Sequence, residues 1–182
     1  MRNRFDALIA GIRPVDQALA PAAQAHLDNL TKPQGSLGRL EELALRQVLI
    51  QDGAAPAAGP ARVYAMAGDH GVAAEGVSLF PQEVTRQMVL NIANGGAGIS
   101  VLARANGIDL KVVDAGCLGG AFDPHPNLIQ RKVAAGTANL AKGPAMTPDQ
   151  CLAALLLGAE LADEAAAEGF RSLGTGDMGI AN

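Results

Sequence analysis

Four groups of residues in this chain have types and spacing that could do chemistry. Gly174-Thr175-Gly176-Asp177-Met178-Gly179 follows an apolar run and fits GxGxxG, the turn whose backbone N–H groups face a pyrophosphate at a helix start. A dinucleotide reading also needs a following helix and an acid ~20 residues on. A bare glycine turn at a strand end, or a turn facing a single phosphate, needs neither. Asp69-His70 and Asp123-Pro124-His125 are the metal candidates, but neither has the paired His or Cys/His spacing of a zinc site, so no metal is expected. Cys117 with His125 as base is a nucleophile candidate; its apolar neighbours favour an inert thiol. No GxSxG elbow is present. Finally, the stretch from Gly71 to Met88 leads a loop into a helix. There Ser78 and Gln87 offer hydrogen bonds and Phe80 a flat wall for a small aromatic ligand, or Glu83 and its neighbours serve only as a capped first turn.

These groups need elements to hold them. The first fifty residues read as helices: Arg4 to Ile12, ended by Pro14; Val15 to Leu30, with Pro21 as a kink or a fresh first turn; and a helix capped by Ser36, with Leu37, Leu40, Ala44 and Val48 inward and Gly53 as its stop. Ala54 to Pro60 reads as a spacer. It divides a helical segment, residues 1–53, from an α/β segment, residues 61–182. After Ala61 the pattern is a buried strand at Val63–Ala67, a helix at Pro81–Ala93 with Val84, Met88 and Ile92 on one face, and a helix at Gly98–Asn106. Strands follow at Leu110–Val113 and Leu128–Val133. Thr147-Pro148-Asp149-Gln150 starts a capping-box helix running to Glu168 with Leu152, Leu155, Leu156 and Ala159 inward, and Phe170–Leu173 is the last strand before Gly174. The alternation predicts an open parallel α/β sheet flanked by helices, whose ligands bind at the carboxyl ends of its strands.

Composition removes other classes. The chain has 182 residues, 49% hydrophobic and 18% charged, too apolar to be disordered. Its net charge of −4 and 3% aromatic content argue against nucleic acid or an anionic membrane as partner. The longest apolar run, Cys151 to Ala159, is half the ~18 residues of a spanning helix. Two cysteines outside any CxxC pair, and no signal-peptide core, predict a cytoplasmic protein.

Several longer strings carry a resemblance. Leu27 to Glu41 (LDNLTKPQGSLGRLE), Ala67 to Val72 (AGDHGV), Glu75 to Met88, Gly136 to Asn139, Gly143 to Thr147 and Gly176 to Asn182, in that order, resemble nicotinate-nucleotide–dimethylbenzimidazole phosphoribosyltransferases. The resemblance runs from about residue 25 to Asn182. It implies a Rossmann-like large domain, a small helical domain built from both chain ends, a homodimer, and no cofactor or metal. The implied reaction moves phosphoribosyl from nicotinate mononucleotide to 5,6-dimethylbenzimidazole, giving α-ribazole 5′-phosphate and nicotinate with inversion, while a carboxylate base takes the azole proton. Ser78, Phe80 and Gln87 match the stretch that helps form the benzimidazole pocket, Asp69 and His70 border it, and Gly176, Asp177, Gly179 and Asn182 match the stretch that holds the nucleotide.

Three departures stand out: Phe80 replaces a family Tyr; the Gly176–Asn182 string has Asp177 for a Glu and Ala181 for a Gly; and the chain stops where relatives continue with two threonines and about as many residues again. The family's general-base Glu therefore falls beyond Asn182. The expectation is an N-terminal half, catalytically incompetent alone. The alternatives are a non-catalytic binding or assembly half-module and a dinucleotide-dependent oxidoreductase.

Overall fold

The computed structural model describes residues 1–53 and 59–182. They form two compact units, Asp6–Ala58 and Met1–Phe5 with Gly59–Asn182. The spacer expected at Ala54–Pro60 lies, for residues 54–58, outside the described residues.

The chain opens with α1 (Arg2–Gly11), α2 (Ala20–Asp28) and α3 (Arg39–Ile50). The helix expected from Val15 begins only at Ala20, with Pro21 in its first turn, where a missing N–H costs nothing. Ser36 does not cap α3. The turn before it runs through Gly35 and Gly38, both at positive φ, and the helix starts at Arg39 without a side-chain cap. Instead, Glu41 reaches back: its Oε1 accepts from Leu37 N at 3.0 Å and pairs with Lys32 Nζ at 2.8 Å. Leu37 and Leu40, expected inward, are exposed, and Glu41 takes the buried place. The stop is a Schellman turn, with Gly53 N bonded to Val48 O and Asp52, not Gly53, at the first left-handed position.

Lys32 holds the Glu41 carboxyl below its ordinary 4.5, helped by the Leu37 N–H. A carboxyl lowered on folding contributes stability that is full above its unfolded value and is lost as pH falls through its folded one. Acid titration followed by helicity should therefore loosen this unit below about pH 4.3, and Glu41→Gln should flatten that part of the curve. An unchanged acid limb in the variant would refute the assignment.

In the larger unit, β1 (Ala61–Gly68), β2 (Asp109–Gly116), β3 (Leu128–Gln130) and β4 (Ser172–Met178) form a parallel sheet in the order β3-β2-β1-β4. The helices α4 (Glu83–Ala93), α5 (Gly98–Ala105) and α6 (Pro148–Ala167) cover it. Successive strand residues face opposite ways, so Val112 packs with Val89 and Ile92 of α4 while Val113 packs with Leu157 and Leu161 of α6. The capping box at Thr147 and Gln150 forms as the sequence predicts. Two helix faces are rotated from expectation. In α4 the buried set is Thr85, Val89, Ile92 and Ala93, with Val84 half-buried. In α6 Leu152 and Leu156 are buried as expected, but Leu157, Leu161 and Ala165 join them, whereas Leu155 is exposed.

The largest revision concerns β4. Gly174 and Gly176 are not a turn but lie inside this strand, paired in register with Val63 and Ala65. Strand backbone there cannot wrap a pyrophosphate, so the dinucleotide fingerprint fails. No helix among the described residues is long and apolar enough to cross a membrane.

Candidate functional site

The strands end together. A bulge between Ala67 and Gly68 shifts the β1–β2 register at their carboxyl ends, where Gly68 lies opposite Gly116. Asp69 follows at once and is 2% exposed. Its N–H donates to Gly116 O, its carbonyl accepts from Thr137 N, and its Oδ2 accepts from Leu118 N at 2.7 Å. Its Oδ1 is buried and has no hydrogen-bond partner among the described residues, and the same holds for His70 Nε2. Uncompensated buried polar atoms are costly, and in native proteins they concentrate where a ligand or water completes them.

The loop after β3 forms the other wall. Thr137 Oγ1 accepts from Gly71 N, and Asn139 and Lys142 both meet Glu75 of the 3-10 turn Gly71–Glu75. A methyl on Gly71 would come within 2.7 Å of Thr137–Asn139 backbone, which explains a glycine there. Between these walls is a cavity of about 200 Å³, lined chiefly by apolar groups. Met66, Ala115 and Val133 form its floor, Met146, Gln150 and Ala154 its side, and Asp69, His70 and Asp177 its polar rim. Met66, Ala115 and Val133 belong to the cluster packed with α6, so the cavity opens on the α6 side of the sheet.

Of the residues singled out from sequence, Asp69, His70 and Asp177 line this cavity. Gly179 and Asn182 adjoin it. A Cβ on Gly179 would fall on Gly68 O and lie 2.7 Å from His70 Nε2, and Asn182 Nδ2 donates to Asp177 Oδ2 at 2.9 Å. Gly176 faces the other way, toward Ala65 and Ile99 of α5. Ser78, Phe80 and Gln87 belong to the loop and helix on that second side and do not line the cavity. Phe80 and Gln87 are exposed, and Ser78 Oγ accepts from Phe80 N.

Sequence reasoning passed over Gln82, Thr85, Thr137, Met146, Gln150 and Ala154. Gln82 Nε2 donates to His70 O, and the fully buried Thr85 Oγ1 accepts from Ile180 N, tying α4 to the ends of β1 and β4. A signal existed for most of them. Gln82 and Thr85 sit in one matching string, and Thr137 and Met146 in two others, without a chemical role to mark them.

The nucleophile candidate fails. Cys117 is fully buried, and burial, reinforced by Asp114, pushes its thiol up to about 12, away from the reactive thiolate. His125 Nδ1 accepts from Asn127 N, a satisfied loop histidine. Among the described residues no group of three His, Cys, Asp or Glu could hold a metal ion.

Ala181 has φ 70 in the turn closed by Asn182 N and Gly179 O. Type II turns give that third position to glycine. Ala181→Gly should relieve a left-handed cost of about 1–2 kcal/mol, less up to ~1 for the freer unfolded chain. A melting temperature raised by roughly 1–3 °C is expected; a fall would show that the methyl packs favourably.

An open parallel sheet with a largely apolar cavity at its carboxyl rim defines an α/β fold of the kind whose ligand sites lie at that rim. The chain belongs to the phosphoribosyltransferase family DBI_PRT, which matches residues 12–182. It is 70% identical over its whole length to nicotinate-nucleotide–dimethylbenzimidazole phosphoribosyltransferase of Solidesulfovibrio magneticus and 67% to that of Nitratidesulfovibrio vulgaris, covering 51% of each. The crystal structure of CobT from Thermus thermophilus superposes with a TM-score of 0.85 at 52% identity, over 90% of this chain and 49% of that one. The chain thus spans about half the length of the relatives it matches.

Proposed function

We propose that this chain supplies part of the substrate-binding machinery for phosphoribosyl transfer from nicotinate mononucleotide to 5,6-dimethylbenzimidazole, yielding α-ribazole 5′-phosphate and nicotinate. The observation that carries this reading is the 70% identity, over every residue of the chain, to a relative bearing that reaction in its name. In this reading Ser78, Phe80 and Gln87 contribute to the azole pocket, Asp69 and His70 border it, and Gly176, Asp177, Gly179 and Asn182 hold the nucleotide. The general-base carboxylate comes from sequence that the relatives carry in addition. The site's own contribution is then to fix two reactants at one rim, the device that turns a bimolecular displacement into a nearly unimolecular one. The free cysteines Cys117 and Cys151 support a reducing, cytoplasmic setting.

A chimera tests this. These 182 residues, joined to the remaining half of the Solidesulfovibrio magneticus relative, should form α-ribazole 5′-phosphate, whereas the chain alone should show none above background. A chimera that melts cooperatively yet makes no product would overturn the reading.

A further inference from the structure

Three side chains at the start of α4 each bond the loop that follows a different strand. Gln82 Nε2 donates to His70 O, after β1, at 3.0 Å. Arg86 Nη1 donates to Leu118 O and Gly120 O, after β2, and its guanidinium lies 3.7 Å from the centre of the Phe122 ring. Thr85 Oγ1 accepts from Ile180 N, after β4, at 3.0 Å. We infer that this part of α4 positions the rim as one piece, and that Thr85 is the positioning residue for the turn Gly179–Asn182. The inference rests on the proposed transferase reading for the role of that turn and for the nucleotide it holds.

Residues i, i+3 and i+4 of a helix share one face, so positions 82, 85 and 86 reach the rim together. The strands they serve, β2, β1 and β4, are neighbours in the sheet. Gln82 stands at the position before the first residue of α4, yet its side chain makes no cap bond and goes to His70 O instead. Thr85 is more telling. It is fully buried on a helix face that otherwise carries Val89, Ile92 and Ala93. A valine there would have the same shape and avoid desolvating a hydroxyl. What the hydroxyl supplies is an acceptor for Ile180 N, a backbone donor in a residue only 8% exposed.

Ile180 is the second residue of the turn closed by Asn182 N and Gly179 O, with Ala181 at φ 70. Asn182 donates to Asp177, which lines the cavity. Gly179 packs so closely on Gly68 O that not even a methyl fits between them. Held by β1 at Gly179 and by α4 at Ile180, the turn presents Asp177 and Asn182 in one arrangement. Removing the Thr85 acceptor frees the Ile180 end, and a small displacement of a substrate-holding group is enough to weaken its grip.

Thr85→Val keeps the shape and removes the acceptor, whereas Thr85→Ser keeps the acceptor and loses a methyl. In the chimera with the Solidesulfovibrio magneticus half, calorimetric titration with nicotinate mononucleotide should show affinity weakened about tenfold or more by Thr85→Val. Thr85→Ser should restore it. Affinity for 5,6-dimethylbenzimidazole should be unchanged in both, because Thr85 bonds the nucleotide turn and not Ser78, Phe80 or Gln87. The Ile180 amide should exchange with deuterium faster in Thr85→Val than in wild type or Thr85→Ser. Arg62→Ala breaks buried ion pairs at the amino end of β1, so it lowers stability away from the turn and should leave nucleotide affinity unchanged. A merely structural Thr85 would behave as Arg62 does. Thr85→Ala also lacks the acceptor and favours the helix, so it should reproduce the loss and serves if the valine variant does not fold.

Equal nucleotide affinity in wild type and Thr85→Val, no restoration by Thr85→Ser, an equal loss in Arg62→Ala, unchanged exchange at Ile180, or no nucleotide binding at all would each overturn the inference. The two readings part cleanly. A productive chimera indifferent to Thr85 sinks the positioning role and leaves the transferase; a chimera that binds the nucleotide through Thr85 yet makes no product does the reverse.

Discussion

Gly179→Ala should destabilise the larger unit by about 3 kcal/mol, the upper end of what overpacking a well-filled site costs. The new methyl has nowhere to go. It would fall on Gly68 O at the end of β1, which is held by pairing on both sides, and lie 2.7 Å from His70 Nε2. Backbone in a central strand does not yield as a flexible side chain does, so either β4 lifts from β1 or His70 swings out. Both damage the candidate site. The melting temperature should fall by roughly 6–12 °C. Gly158→Ala is the control: it lies exposed within α6 with nothing within 4 Å of its would-be methyl. That change should stabilise the helix by about 0.5–1 kcal/mol. Melting within about 1 °C of wild type for Gly179→Ala would disprove the close approach of β4 to the end of β1.

Arg62→Ala should cost about 2–4 kcal/mol, toward the lower end of what breaking a buried ion pair costs because its partners are partly exposed. Arg62 is 6% exposed, at the opposite end of β1 from the site. Its guanidinium pairs with Asp109 and with Glu168 at 2.7 Å, lies 4.0 Å from the centre of the Phe170 ring, and bonds the Tyr64 hydroxyl. Tyr64 in turn donates to Leu161 O, so one cation ties the sheet to α6. The hydrogen bond that Arg62 donates to Glu168 raises the Arg62 guanidinium further above its already high value, and Arg62 correspondingly lowers the Glu168 carboxyl. By linkage, the Glu168 contribution is full above its unfolded value and fades as pH falls through the lower folded one. The stability gap between wild type and Arg62→Ala, read from urea midpoints, should therefore narrow from pH 6 toward pH 3. A gap independent of pH would show that packing on Phe170, not charge, is what Arg62 provides.

Much of this molecule was written locally. Val63–Ala67, a continuous apolar run between small polar breaks, had to be a strand buried on both faces, and it is the strand on which the site is built. Thr147 and Gln150 specified a helix start without any tertiary help. The strings around Asp69-His70 and the PQEVT segment marked the rim, where Gln82 and Thr85 answer to the backbone groups His70 O and Ile180 N.

Other features were not local properties at all. Glycines 174 and 176 look like a turn in one dimension. They form a strand because Val63 Cγ2 and the Ala65 backbone lie against them, close contacts that pairing with β1 creates. Which face of α6 points inward, and so whether Leu155 or Leu157 is buried, depends on where the sheet lies, since leucines occur on both sides of that helix. The orphan oxygen of Asp69 was equally invisible. Sequence alone determined the strands, the helices and the family to which they belong. Only the tertiary structure brought a bulged strand end, a loop from beyond β3 and the flank of α6 around one cavity, because a cavity belongs to the space between elements and not to any one of them.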